Sequence, residues 1–237
     1  MQIVVTRPLP DGARTAATLR ARGHDVIVAP LMRVETLAAD LSGTWSGVVA
    51  TSANALRALD AAQALELSNL PVFVVGRRTG EAAQEVGFTD VISADGDGGD
   101  LAELIAARCA HAKLGTPAPL LYLAGEDRAF DLEGELRGMG IAAKTVTIYR
   151  AVTAPFPEEL TAALRAKTVD AVLHFSRRSA ENYVADAIAA ATDAALSPRH
   201  FCLSEQIAEP LRKAGAKDVR IASRPDEAAL LDLVESR

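Results

Sequence analysis

Short apolar runs alternate with longer amphipathic stretches along the whole chain. The runs Ile3–Thr6, Val26–Ala29, Gly47–Thr51, Val72–Val75, Val91–Ser93, Leu120–Ala124, Lys144–Ile148, Ala171–Phe175, Phe201–Leu203 and Val219–Ala222 are too short for helices and read as strands. Helical segments separate them, which predicts an α/β fold with parallel sheets covered on both faces. The segment DGARTAATLRARG predicts a helix capped by Asp11 and stopped at Gly23, and GEAAQEVG and PLRKAG stop in the same way at Gly87 and Gly215.

The pattern is written twice. Gln2–Glu35 and Pro119–Val152 each run strand, helix, then an overlong extended stretch, while Trp45–Ile105 and Val169–Val234 share a matching continuation. In register, Met32 of the first copy stands where the second has Tyr149. Two similar α/β units imply a cleft between them, the usual place for a small-molecule site. The extended runs Asp25–Leu37 and Lys144–Ala154 exceed the usual strand length of about 5 to 6 residues, so each predicts a core strand followed by a stretch leaving its domain. If both cross, residues 1–33 join 154–237 in one domain and 42–146 form the other, with 34–41 and 147–153 as linker strands. Two sequential domains split near the loop KLGTPAP satisfy the repeat equally well.

The chain has 237 residues, 49% hydrophobic and 24% charged, with net charge -6 and only 4% aromatic residues. This is globular composition, and the scarcity of rings and the acid surplus argue against nucleic acid as a partner. Cys109 and Cys202 lie far apart without ligand spacing and read as reduced thiols. Met1 leads directly into a strand and no apolar run reaches membrane-spanning length, so the expectation is a cytoplasmic protein without membrane contact.

Candidate chemistry lies where strands hand over to helices, because ligands of open parallel sheets sit outside the carboxyl edge. Those junctions read Thr6-Arg7-Pro8, Thr51-Ser52-Ala53-Asn54, Gly76-Arg77-Arg78-Thr79, Gly125-Glu126-Asp127-Arg128, Phe175-Ser176-Arg177-Arg178-Ser179 and Leu203-Ser204-Glu205. Six arginines fall in these loops, beside hydroxyl residues and glycines, and together they point to a ligand bearing several carboxylates or phosphates. Ser, Thr and Asn are equally the favoured helix N-caps, and Arg is often simply solvated. Other motifs fail. ADGDGGD lacks the twelfth-position Glu of a calcium loop and reads as a helix start capped by Asp100. Gly76 and Gly80 make no dinucleotide fingerprint, and His174 has no partner at ligand spacing and reads as packed or hydrogen-bonded, so no metal site is expected.

The ordered set VVTRPLPDGARTAATLRARGHDVIVAPLMRVE, WSGVVATSANALRAL, VFVVGRRTGEAAQEVGF, LLYLAGEDRAFDLEGELRGMGI leading into TIYRAV, and DVRIASRPDEAALLDLV resembles the uroporphyrinogen-III synthase family over essentially the whole chain. The resemblance implies two similar flavodoxin-like parallel-sheet domains joined by a two-stranded linker, with the first segment returning to the last. That selects the crossed layout.

The activity implied is closure of hydroxymethylbilane to uroporphyrinogen III, with loss of water and inversion of ring D, by a cyclising hydro-lyase of haem biosynthesis that needs no cofactor. The substrate is a linear tetrapyrrole with eight carboxylates, handed over transiently by hydroxymethylbilane synthase, and the enzyme is a monomer. The bilane closes unaided to the symmetric isomer, so the work is orientation more than strong acid catalysis, which agrees with the absence of any Ser-His-Asp set or carboxylate pair. Tyr149 matches the family's cleft tyrosine and is the expected catalytic residue. The substrate-binding residues carried over are Thr79, Ser52, Ser176 and Ser223, to which the loop reading adds Thr6, Arg7, Arg78, Arg128 and Arg177. The chain departs from pattern at Leu203-Ser204-Glu205-Gln206-Ile207, which lacks the Gly and Thr often found there. The competing reading is a two-domain binding or sensor protein that holds an anionic metabolite without chemistry, since fold alone does not choose.

Overall fold

A computed structural model describes residues 1–112, 118–128 and 130–236. In chain order its elements are β1 (Gln2–Val5), α1 (Asp11–Ala21), β2 (Asp25–Val28), β3 (Met32–Thr36), β4 (Val48–Ala50), α2 (Ala53–Arg57), α3 (Ala61–Leu67), β5 (Val72–Val75), α4 (Gly76–Glu85), β6 (Val91–Ala94) and α5 (Gly98–Ala112). There follow β7 (Leu120–Gly125), α6 (Leu132–Gly138), β8 (Ala143–Thr153), α7 (Glu158–Arg165), β9 (Ala171–His174), α8 (Arg177–Ala191), a 3-10 turn at Thr192–Leu196, β10 (Arg199–Cys202), α9 (Glu205–Lys213), β11 (Val219–Ile221) and α10 (Glu227–Glu235).

Two compact units result, one of Met1–Arg33 with Val152–Arg237 and one of Val34–Ala151. The first sheet runs β2-β1-β9-β10-β11 and the second β8-β7-β4-β5-β6, with β3 beside β8. The neighbours within each set of five are parallel. Numbered within the unit, the first order is the flavodoxin-like 2-1-3-4-5. In the second, β7-α6-β8 takes the place of β1-α1-β2, and β4, β5 and β6 take those of β9, β10 and β11. Each unit therefore combines the strand-helix-strand segment of one repeat copy with the three-strand continuation of the other. The chain changes unit twice, within β3 and within β8. Of the loop KLGTPAP, residues 113–117 lie outside the described residues.

Burial on both sheet faces explains why the strands read as unbroken apolar runs. In the first unit Val4 and Val172 enter one core with Leu160, Tyr183 and Leu211, while Ile3, Val5 and Leu173 enter the other with Leu19 and Leu230. In the second, Leu121 and Leu123 face α2 and α4, while Leu120, Tyr122 and Ala124 face α5 and α6. The two long extended runs differ. The first breaks after Val28 and resumes at Met32, ending at Thr36, short of the expected linker end at 41. The second is one strand of 11 residues.

Two expected caps are corrected. Asp11 is the first residue of α1, not its cap, and its carboxylate is taken by Arg7 and Arg14. The start of α5 is held by Asp97, whose Oδ1 accepts from the Gly99 N–H at 2.8 Å, while Asp100 reaches back to the Asp97 N–H at 2.7 Å. His174 is packed: its Nε2 lies 3.1 Å from His200 Nδ1, with the Tyr183 ring edge-on to both. Neither histidine is exposed, and burial keeps both neutral, His174 well below the usual range and His200 down to about 4 despite the opposing charge of Asp218. Among the described residues no cluster of three metal-ligating side chains occurs, and no helix is long and apolar enough to cross a membrane.

Two stability measurements follow from this packing. Gly138 closes α6 with nothing within 4 Å of a Cβ placed there, so Gly138→Ala should stabilise by about 0.4–1 kcal/mol, read from the urea midpoint. Because the histidine pair binds protons in the unfolded chain but not in the folded one, stability falls as pH drops from the unfolded value of about 6.5 toward the His200 value of about 4. The loss from pH 7 to 5 should be of order 1–2 kcal/mol per histidine, and a urea midpoint unchanged over that range would contradict the buried neutral pair.

Candidate active site

Each unit presents a carboxyl edge of its own. In the second unit, residues after β4 begin α2, and the Ser52 hydroxyl accepts the Asn54 N–H at 3.3 Å as its N-cap. The adjacent Thr51 hydroxyl lies 3.2 Å from the Tyr122 hydroxyl. Helix α4 starts at Gly76, whose φ of +75° is the left-handed region that glycine adopts without strain. Neither a side-chain cap nor an acidic residue serves its first turn, so its N–H groups and dipole remain available to an anion beside Arg77 and Arg78. Thr79, expected to bind substrate, is 5% exposed, its side chain packed in that turn. Arg128 is exposed and donates to the Gly125 carbonyl at 3.2 Å and to Thr147 Oγ1 at 3.1 Å.

Tyr149 stands on β8 at this edge, half-buried. The strand carries a bulge there: Ala124 of β7 pairs with Thr147, but the next residue, Gly125, pairs with Tyr149, leaving Ile148 as the additional residue. The main chain is pinned by the Glu126 N–H to the Tyr149 carbonyl at 3.0 Å. Burial raises the phenol above its usual range, the neighbouring Tyr122 and Asp127 raise it further, and a hydrogen bond with the Ser52 side chain acts in the opposite direction. The phenol is therefore a neutral hydrogen-bond donor throughout the neutral range.

In the first unit the arginines are already engaged. Arg7 pairs with Asp11 at 3.0 Å and Glu227 at 3.3 Å, and its guanidinium lies 4.5 Å over the Phe175 ring. Glu227 also accepts from Thr15. Arg177 is exposed and bonded to Glu181 and Glu209. Thr6, expected to bind substrate, is fully buried, and its hydroxyl donates to the Leu173 carbonyl at 2.8 Å, tying β1 to β9. Ser176 accepts the Ser179 N–H at 3.1 Å and donates to its hydroxyl at 2.9 Å, the helix-start role that any α/β protein needs. Ser223 is exposed, ahead of Asp226, which caps α10 through the Ala229 N–H at 2.8 Å. At Leu203-Ser204-Glu205, α9 begins without a side-chain cap, but Glu205 in its first turn offsets the helix dipole.

Sequence reasoning passed over Tyr122 and Thr147, and it placed Gly125 in a ligand loop without its contact to Tyr149. LLYLAG reads as a core strand, and nothing in it marks a hydroxyl rising to meet Thr51 or a glycine beneath Tyr149.

A family model described as Uroporphyrinogen-III synthase HemD matches residues 13–232. Among solved structures, the crystal structure of uroporphyrinogen-III synthetase from Helicobacter pylori 26695 is similar at 17% identity, covering 99% of this chain and 98% of that one with a TM-score of 0.63. A mutant uroporphyrinogen III synthase from the extremely thermophilic bacterium Thermus thermophilus aligns at 18% identity over 99% and 97% of the chains with a TM-score of 0.50. At these identities the structural likeness is one of fold. No curated protein matches the sequence.

The ion pairing around Arg7 predicts a stability effect. Glu227→Gln removes the carboxylate from Arg7, whose side chain is only 13% exposed, and should cost about 1–3 kcal/mol in the urea midpoint, with high salt shrinking the difference.

Proposed function

This chain belongs to the uroporphyrinogen-III synthase family, and we propose that the carboxyl edge of its second unit runs the family's reaction, with Tyr149 at the departing hydroxyl. The activity is closure of hydroxymethylbilane, a linear tetrapyrrole, to uroporphyrinogen III, and the family match over residues 13–232 is the observation that carries it. The same match favours this enzyme over a binding protein without chemistry.

In the proposed mechanism the terminal pyrrole that carries the hydroxymethyl arm on its α-carbon expels the hydroxyl through the push of its ring nitrogen, and the Tyr149 O–H donates a hydrogen bond to the departing oxygen. The hydroxyl departs as hydroxide, and ring D attacks the freed methylene carbon through its substituted carbon to give the spiro intermediate. The original bond from that carbon to the neighbouring bridge then breaks, and the released bridge carbon rejoins ring D at its free α-carbon, whose proton is lost to restore the pyrrole and completes the water. Atoms balance with water as the only small product, as in a cyclising hydro-lyase. Because the phenol is held above its usual range, it supplies hydrogen bonding more than full proton transfer, and the burden falls on holding the chain in one geometry. The uncapped start of α4 with Arg77 and Arg78, the Arg128 guanidinium and the Ser52 turn are the proposed carboxylate contacts in the second unit. Arg7, Ser176, Arg177 and Ser223 are those proposed in the first, where a carboxylate must compete with Asp11, Glu227, Glu181 and Glu209.

The test is to supply hydroxymethylbilane, oxidise the products and separate the isomers. Type III should dominate, and type I alone would overturn the function. Tyr149→Phe should slow the reaction by about 10 to 100-fold while type III still forms. An unchanged rate would remove Tyr149 from the chemistry.

A further inference from the structure

Gly125 occupies the one place in β7 where a side chain cannot stand. A Cβ built there would lie 2.7 Å from Tyr149 Cζ, 2.8 Å from its Oη and 3.0 Å from Cε2, all inside van der Waals contact. The phenol therefore rests against bare backbone. The bulge decides which side chain gets that place: because Ile148 is the additional residue, Tyr149 and not Ile148 comes opposite Gly125. Ile148 instead packs into the core at 2% exposure, and its carbonyl accepts from the Leu37 N–H at 2.8 Å. Strand glycines and bulges mark close approach and re-aimed side chains, and here both occur at one pairing.

The pairing lies beside two hydroxyl residues. Thr51 is held by the Tyr122 hydroxyl at 3.2 Å, and Ser52 uses an acceptor lone pair on the Asn54 N–H at 3.3 Å.

We propose that Gly125 and the bulge at Ile148 are a seat that fixes the Tyr149 hydroxyl for catalysis, which makes Gly125 a positioning residue of the reaction. This rests on the reading of Tyr149 as the group at the departing hydroxyl. A seat of this kind acts on geometry: a ring displaced by a methyl group loses its alignment with the reacting centre, while the Gly125 carbonyl that holds Arg128 is backbone and is kept in alanine. The effect belongs on kcat and not on KM.

The experiment compares wild type, Gly125→Ala, Tyr149→Phe and Gly125→Ala/Tyr149→Phe with hydroxymethylbilane, with Gly138→Ala on the surface of α6 as the matched glycine control. Gly125→Ala should lower kcat about tenfold with KM changed less than about twofold, and should add nothing further in the Tyr149→Phe background. Tyr149→Phe at wild-type rate would sink both the seat and the mechanism it serves. If Tyr149→Phe is slow but Gly125→Ala is normal, or if Gly125→Ala costs the same in both backgrounds, the seat alone is overturned. Should Gly125→Ala fail to fold, Gly125→Ala/Tyr149→Ala decides, since it removes the ring that the methyl strikes. Recovery of a cooperative thermal transition supports the contact, and continued failure overturns it.

Discussion

Everything in this molecule depends on the pairing of parallel strands that are distant in sequence. A parallel sheet needs crossovers that cover both faces, and its inner strands must be paired on both sides. In the first unit β1 is such an inner strand, hydrogen-bonded to β2 from its own copy and to β9 from the other. In the second, β7 does the same work between β8 and β4. Without the borrowed segment, the continuation of either copy would expose an unpaired edge at β9 or β4. The N-terminal segment to Arg33 is therefore committed to the C-terminal half of the chain, with loop closure over more than a hundred residues. Such long-range pairing is slow to form, whereas β7-α6-β8 and β4 pair over a shorter stretch of chain.

Most of this architecture is legible because it is carried by period and punctuation. Runs such as VVA and AVLH are buried on both faces, and terminating glycines such as Gly23, Gly140 and Gly215 adopt the left-handed backbone that ends a helix. Register between distant strands is not written this way. The bulge at Ile148 is invisible in TVTIYRAV, because it arises only when β8 is laid against β7 and one residue is left over. The roles of Asp11 and Asp100 escape the sequence for a related reason. Both are acids near a helix start, and whether such a residue caps the helix or stands inside its first turn is decided by the backbone at Pro10 and Asp97.

The hydroxyl residues at the strand ends separate along the same line. Thr6 and Ser176 are used by the fold itself, one joining two strands and the other starting α8, so their presence in a loop is explained without a ligand. Ser52 does similar capping work, and its side chain also acts on the Tyr149 phenol, lowering it against the effect of burial. A sequence shows that a serine stands before a helix. It does not show what the remaining proton of its hydroxyl touches.

The two edges also differ in how their helix starts are occupied, despite the repeat pattern they share. In the first unit the cations of Arg7 and Arg177 sit against carboxylates of α1, α8, α9 and α10, so an incoming anion must displace an ion pair. In the second, α4 begins without cap or acid, so an anion there gains backbone N–H groups and the helix dipole without displacing a capping acid. Competition of that kind weakens binding but sharpens selection, because a single carboxylate cannot displace an intramolecular partner while a substrate anchored elsewhere can.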